Sequence, residues 1–81
     1  MKTVSSAVAT RVREILKDKN MSIYRLEKIT AMSHNSMQTV MRADNKSVNL
    51  KTVLLLIRGL NVTAKEFFDS PLFEDQDLDV D

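Results

Sequence analysis

The stretch Ser22–Arg42, SIYRLEKITAMSHNSMQTVMR, decides the fold, because it contains two short helical patterns separated by a turn. In the first pattern, apolar residues recur at every third position, namely Ile23, Leu26 and Ile29. Ser22 precedes them and is a good N-cap residue, since its hydroxyl oxygen can accept from a free N–H of the first turn. The helical signal stops around residues 30–32, so we predict a short helix that begins after Ser22.

The second pattern begins after Ser33, which is again an N-cap candidate. Its apolar stripe consists of Met37, Val40 and Met41, at positions i, i+3 and i+4 of a helix. Two short capped helices joined by about three or four residues have the spacing of a helix-turn-helix unit. The sequence therefore predicts such a unit, and the polar segment 42–49 follows it as a loop.

The second of these helices has an outward face without carboxylates. Successive helical residues are about 100° apart, so the residues opposite the apolar stripe form one polar face. Its members are His34 at the margin, Asn35, Gln38, Thr39 and Arg42. Asn and Gln pair bidentately with adenine, and Ser, Thr or His can reach base edges or phosphates. Such a face suits a helix that lies against a polyanion. The alternative is that a helix this short lacks acidic residues by chance.

One helix before this unit and two after it complete the predicted domain. The first is expected over about Ser6–Lys19, with Ser5 or Ser6 as its cap and one apolar stripe. The last is expected over Ala64–Asp69, with Thr63 as its cap. The chain is therefore predicted to be all-α, with five helices.

The fourth helix, between the helix-turn-helix unit and the last helix, is expected over Leu50–Leu60, with Asn49 as its N-cap. Its predicted wide apolar face consists of Leu50, Val53, Leu54, Ile57 and Leu60. Either Gly59 or Asn61 suits the left-handed residue that ends many helices.

The composition fits a small binding domain and disfavours an enzyme. The 81 residues include one Gly and no Cys, too few for a Gly-rich phosphate loop or a Cys-based metal site. We therefore predict no catalytic residues, no metal and no cofactor. The longest apolar run, Val53–Ile57, is far shorter than the roughly 20 residues of a membrane span, and no signal-peptide pattern is present. A cytoplasmic protein is expected.

The net charge of +1 conceals an asymmetry. All 12 Lys and Arg residues lie between Lys2 and Lys65, whereas five of the 11 acidic residues lie in Glu74–Asp81. Residues 1–73 thus carry +6, which suits a polyanionic partner, and residues 74–81 carry −5. We expect residues 1–73 to form the domain and 74–81 to be a disordered tail, which either aids solubility or competes with DNA for the basic face.

In order and spacing, residues 21–40 resemble the helix-turn-helix of the lambda-repressor/Cro-like (XRE family) transcriptional regulators. The resemblance covers about Arg11–Phe68 and continues through Asn49–Val53, Ile57–Thr63 and Phe67–Phe68. It implies a compact five-helix domain whose third helix enters the DNA major groove. It also implies a small regulator, such as a repressor, that binds double-stranded DNA with sequence specificity and forms a homodimer at least on DNA.

The resemblance also implies roles for individual residues. Base reading falls to His34, Asn35, Gln38 and Thr39. Contacts with the DNA backbone fall to Ser22, Tyr24, Ser33, Ser36, Arg42, Asn45 and Lys46. Backbone contacts position a protein on the duplex but carry no sequence information directly.

Three residues depart from the pattern of that family. Glu27 stands where a small Ala is usual at a tight helix–helix contact, and Ile23 stands where a Gln commonly binds phosphate. Ala31 stands where Gly is usual in the turn, which costs about 1 kcal/mol if the position is left-handed.

Other interpretations stay open at this point. One is a protein-interaction module, such as the antitoxin of a toxin–antitoxin pair, with a partner protein in place of DNA or beside it. His34 is a base reader, a pH switch, a metal ligand or a plain solvated residue. We also hypothesise that Leu55, exposed on the fourth helix in the family-like register, forms a dimer contact together with Leu72 and Phe73.

Overall fold

A computed structural model of the chain describes residues 3–43 and 48–74. These residues form five α-helices followed by a short 3-10 turn. The helices are α1 Val4–Asp18, α2 Ile23–Thr30, α3 His34–Arg42, α4 Leu50–Gly59 and α5 Ala64–Phe68, and the 3-10 turn is Pro71–Phe73. The all-α five-helix fold predicted from the sequence is confirmed. None of the helices in the described ranges is long and apolar enough to cross a membrane.

Each α-helix begins at a side-chain cap, whose oxygen accepts a hydrogen bond from the backbone N–H three residues later. The caps are Thr3, Ser22, Ser33, Asn49 and Thr63. Four of the five were predicted from the sequence. The prediction of Ser5 or Ser6 for α1 was wrong, because Thr3 Oγ1 accepts from the N–H of Ser6 at 3.0 Å and the helix starts two residues earlier.

The N-terminus of α5 carries a complete capping box. The N–H of Glu66 donates to Thr63 Oγ1 at 3.0 Å, and the N–H of Thr63 donates to Glu66 Oε1 at 3.3 Å. Two backbone donors that a helix start would leave unpaired are thereby satisfied. These bonds give a defined start to a helix of only five residues.

Buried side chains from α1, α2, α3 and α4 form the core, and Phe67 of α5 completes it. Its largest fully buried side chains are Phe67, Leu26, Met37, Leu56, Leu60, Val8 and Val12. The buried stripe of α4 consists of Val53, Leu56, Ile57 and Leu60. The wider face predicted for α4 was wrong at Leu50 and Leu54, which are 67% and 42% exposed. Ile29 of α2 is also exposed, although the three-residue repeat placed it on the buried stripe.

Gly59 lies where α4 packs closely against α2. A Cβ atom built on it would lie 2.5 Å from Thr30 Cγ2 and 2.9 Å from Leu26 Cδ1, distances that side chains essentially never show. The left-handed residue that ends α4 is Asn61, with φ of 58°, so Gly59 is required for its small size and not for its φ angle. The absence of a side chain at Gly59 therefore allows α2 and α4 to pack this closely.

Arg11 joins the first helix to the last. Its Nε donates to the carbonyl of Phe67 and its Nη2 to the carbonyl of Glu66, both at 2.7 Å. These carbonyls belong to the last turn of α5, where a helix leaves its acceptors unpaired. The guanidinium therefore caps α5 from a distance of 55 residues or more in sequence.

Candidate nucleic-acid interface

The turn between α2 and α3 contains only residues 31–33. Ala31 ends α2 in the left-handed region, with φ of 59° and ψ of 22°. Thr30 Oγ1 donates to the Leu26 carbonyl at 2.8 Å and accepts from the N–H of Met32 at 3.3 Å. Ser33 then caps α3. The short turn and its local hydrogen bonds give the helix-turn-helix geometry that the sequence predicted.

Two methionines and one arginine hold α3 on the domain. Met37 and Met41 are buried in the core, with their side chains directed inward. Arg13 of α1 donates from Nη2 to the carbonyl of Met41, near the end of α3. Because these contacts fix the rotation of α3 about its axis, its opposite face lies at the surface.

The outward face of α3 is polar and free of carboxylates, as predicted. Its exposed members are His34, Asn35, Ser36 and Arg42, while Gln38 and Thr39 are half-buried. Thr39 Oγ1 donates to the Asn35 carbonyl at 2.9 Å, so its hydroxyl proton is used within the helix. The structure thus brings the four predicted base readers together on one helix.

Most of the described residues predicted to contact the DNA backbone lie around the starts of α2 and α3, whereas Arg42 is the last residue of α3. Ser22 Oγ accepts from the N–H of Arg25 at 3.1 Å, which is its role as the cap of α2. Ser33 Oγ donates to Ser36 Oγ at 2.9 Å and accepts from the N–H of Ser36 at 3.1 Å. Both serine hydroxyls are therefore engaged locally.

Tyr24 projects from the first turn of α2 and is largely exposed. The Nζ of Lys28 lies 5.1 Å from the centre of its ring, within the range of a cation–π contact. The remaining predicted backbone contacts, Asn45 and Lys46, lie outside the described residues.

A contact that the sequence analysis missed links the two helices of the unit. Glu27 of α2 has a side chain only 11% exposed, and its Oε2 lies 3.1 Å from Nδ1 of His34, the first residue of α3. The His34 side chain is itself 69% exposed. Because this pair crosses the turn, no helical periodicity within one element could have predicted it.

The residues of the dimer hypothesis do not form one exposed patch. Leu55, Leu72 and Phe73 are half-buried, and the Phe73 ring lies 5.0 Å from the Phe68 ring and 5.9 Å from the Phe67 ring. The expectation that Leu55 points outward was wrong in part. The outward side of α4 is centred on Leu54, since the buried stripe is rotated toward Leu56.

Comparison with protein families agrees with this geometry. Residues 11–71 match the family model described as the Cro/C1-type HTH DNA-binding domain. The chain belongs to this family. The match runs from the middle of α1 to the first residue of the 3-10 turn, so it includes all of α2, α3, α4 and α5 of the Cro/C1-type fold described above. Membership makes the chain a DNA-binding regulator domain.

The Cro/C1-type fold is also found among solved structures. The crystal structure of the prophage Lp1 protein 11 superimposes with a TM-score of 0.82, covering 93% of this chain and 99% of that one. The two sequences are 20% identical, so this similarity concerns the fold alone. A search of curated proteins found no relative that matches the chain. These comparisons give no support to the antitoxin alternative.

Proposed function

We propose that this chain is a small transcriptional repressor that binds double-stranded DNA with sequence specificity and inserts α3 into the major groove. The observation that carries this proposal is the outward face of α3, which is polar, free of carboxylates and fixed in orientation by Met37, Met41 and Arg13. A surface helix without acids avoids repulsion from phosphates, and a fixed orientation makes each side chain face a defined base pair.

Base reading in this proposal rests on side chains that form directed hydrogen bonds. Asn35 and Gln38 carry amide groups that pair bidentately with the N6 and N7 atoms of adenine. His34 stands at the N-terminal end of α3, the end that reaches base edges in helix-turn-helix proteins. Thr39 contributes its methyl group and its oxygen, since its proton is donated to the Asn35 carbonyl.

We assign phosphate contacts to the residues around these readers. They are Ser22, Tyr24, Ser33, Ser36 and Arg42, together with Asn45 and Lys46 of the loop that follows α3. The Ser22 hydroxyl accepts in its cap and can still donate its proton to a phosphate oxygen, whereas the Ser33 proton is donated to Ser36 Oγ. The N-terminal N–H groups of α2 and α3 are further donors to phosphate oxygens. Among residues 22–42, three basic side chains stand against the single acid Glu27.

We also propose that two copies bind one operator and block a promoter. In helix-turn-helix dimers the half-sites lie about one helical turn apart, roughly 34 Å. Leu55, Leu72 and Phe73 stay the proposed dimer contact, and the exposed Leu54 extends it. A DNA partner of this kind implies a cytoplasmic protein that acts by binding and not by catalysis.

The test is selection of duplexes from a random-sequence pool, followed by affinity measurements at several salt concentrations. We expect an enriched motif and a log–log salt slope of about −3 or steeper, which corresponds to several phosphate contacts. Gln38→Ala should relax one position of that motif. Lys65→Ala, which removes an exposed cation from α5, is the control and should leave every position unchanged. Absence of binding at about 50 mM salt would contradict the proposal.

A further inference from the structure

The contact between Glu27 and His34 has a chemical consequence for the proposed DNA interface. The two residues are seven positions apart in the sequence and lie on different helices of the helix-turn-helix unit. Their contact therefore spans the turn between α2 and α3. Glu27 is the one acid within residues 22–42, at a surface where an acid opposes binding to DNA. Its position therefore calls for an explanation beyond helix packing.

We propose that Glu27 is a positioning residue that fixes the tautomer of His34 and thereby sets which base His34 accepts. This inference rests on the proposed function, because it deepens the role given to His34 there. It concerns a specificity-determining contact, and the recognised partner is a base that carries an exocyclic amino group in the major groove.

The first step is the direction of the hydrogen bond. A carboxylate oxygen has lone pairs and no proton, so it only accepts. With Oε2 of Glu27 3.1 Å from Nδ1 of His34, the proton of that bond belongs to Nδ1. In a neutral imidazole one nitrogen is a donor and the other an acceptor, so Nε2 is left as an acceptor. A hydrogen bond to one ring nitrogen thus sets the chemistry of the other.

The second step is the position of Nε2. The Glu27 carboxylate is largely buried, whereas the His34 side chain is 69% exposed. Nδ1 lies beside the carbon that joins the ring to the backbone, and Nε2 lies at the outer end of the ring. The pair therefore engages the inner nitrogen and leaves the outer nitrogen at the exposed end of the side chain.

The third step is the choice of base. In the major groove, adenine and cytosine present amino donors, at N6 and N4, while guanine and thymine present acceptors at O6 and O4. A neutral His34 whose Nε2 accepts should favour adenine or cytosine at the base it faces. One hydrogen bond is worth about 1 kcal/mol, so the expected preference is about fivefold.

Glu27→Gln is the decisive substitution, because it keeps the shape of the side chain and changes its hydrogen-bonding capacity. The amide can accept from Nδ1–H through its oxygen or donate to Nδ1 through its NH₂ group, so it no longer holds the imidazole proton on Nδ1 as a carboxylate does. The preference for adenine or cytosine should then weaken or disappear. Glu14→Gln is the matched control, since it removes the same charge from an exposed site on α1, where the carboxylate pairs with Arg11 and not with His34.

The first experiment reads the tautomer directly in the full chain without DNA. His34 is the single histidine, so a two-bond proton–nitrogen correlation spectrum shows one imidazole without assignment. At about pH 8, where an ordinary imidazole is neutral, we expect the proton on Nδ1 in the wild type and in Glu14→Gln. In Glu27→Gln the proton should shift toward Nε2. A wild-type proton on Nε2 would overturn the inference, whatever the DNA results.

The second experiment repeats the duplex selection at the same pH for the wild type, Glu27→Gln, His34→Ala and the double variant. We expect one position of the motif to change in Glu27→Gln, and no further change when Glu27→Gln is added to His34→Ala. If the wild type enriches a motif that Glu27→Gln leaves unchanged, the positioning role is wrong and the proposed function stands. If the wild type enriches no motif, the proposed function itself fails and the inference fails with it.

Discussion

Gly59 and Thr30 are in such close contact that a single added carbon would bring their side chains within 2.5 Å of each other. Ordinary propensity favours Ala over Gly in a helix interior by about 1 kcal/mol. At this position the clash reverses the sign, because Thr30 is buried and its hydroxyl is bound to the Leu26 carbonyl. The packing of α2 on α4 therefore depends on one missing methyl group.

Gly59→Ala should lower the free energy of unfolding by about 1–3 kcal/mol, the usual cost of overpacking. Urea denaturation measures this change. Thr30→Ser removes the clashing Cγ2 and keeps the hydroxyl bond, so adding it to Gly59→Ala should recover part of the loss. If the free energy of unfolding of Gly59→Ala is unchanged or higher, α2 and α4 can move apart to accommodate the methyl group without loss of stability, and the prediction is wrong.

Ala31→Gly should raise the free energy of unfolding by about 1 kcal/mol. Ala31 has φ of 59°, a conformation that costs a residue with a Cβ atom roughly 1–2 kcal/mol. Gly removes this cost, but its greater conformational entropy in the unfolded chain offsets part of the gain in stability. Thermal and urea denaturation both report the change. Ala64→Gly is the control: it lies exposed in α5 with ordinary helical geometry and should be neutral or destabilising. Destabilisation by Ala31→Gly would contradict the strain argument.

Arg11→Met should destabilise the chain by about 2–3 kcal/mol. The substitution keeps most of the apolar stem and removes both bonds to the α5 carbonyls, and hydrogen bonds from charged groups contribute about 1.5–3 kcal/mol. Arg58→Met, at an exposed site on α4, removes the same charge and should change stability by less than about 0.5 kcal/mol. Equal effects of the two variants would indicate that net charge, and not the cap on α5, matters.

Leu55→Asp should lower the oligomer mass if the α4 surface forms the proposed dimer. Because Leu55 is half-buried, circular dichroism must first show that the variant is folded. Leu54→Asp places the same charge on the more exposed neighbour and should disrupt a dimer with less damage to the fold. Sedimentation of both variants, with and without DNA, gives the answer. An unchanged mass in both would reject this surface as the dimer contact.

The sequence predicted best where one residue type has one structural use. Four helix starts were predicted correctly because a short polar side chain there pairs with a free backbone donor: Ser22, Ser33, Asn49 and Thr63. The polar face of α3 was also predictable, since its apolar stripe leaves a single rotation about the helix axis.

Helix α4 shows why other features were not predictable. Every position from 53 to 57 is apolar, so several rotations of the helix bury an apolar stripe equally well. The neighbouring helices select the rotation that buries Leu56 and exposes Leu54. The Glu27–His34 pair was missed for a related reason, because it depends on how two helices meet and not on the pattern within either.

The division of α3 into an anchored side and an exposed side has an evolutionary meaning. Met37 and Met41 anchor the helix in the core, whereas Asn35 and Ser36 are exposed and contribute almost nothing to core packing. Substitutions at exposed positions of this kind usually change stability by less than about 0.5 kcal/mol. A lineage carrying this domain can therefore explore new outward surfaces on α3 without losing the ability to fold, and a randomised library at these positions should remain largely folded.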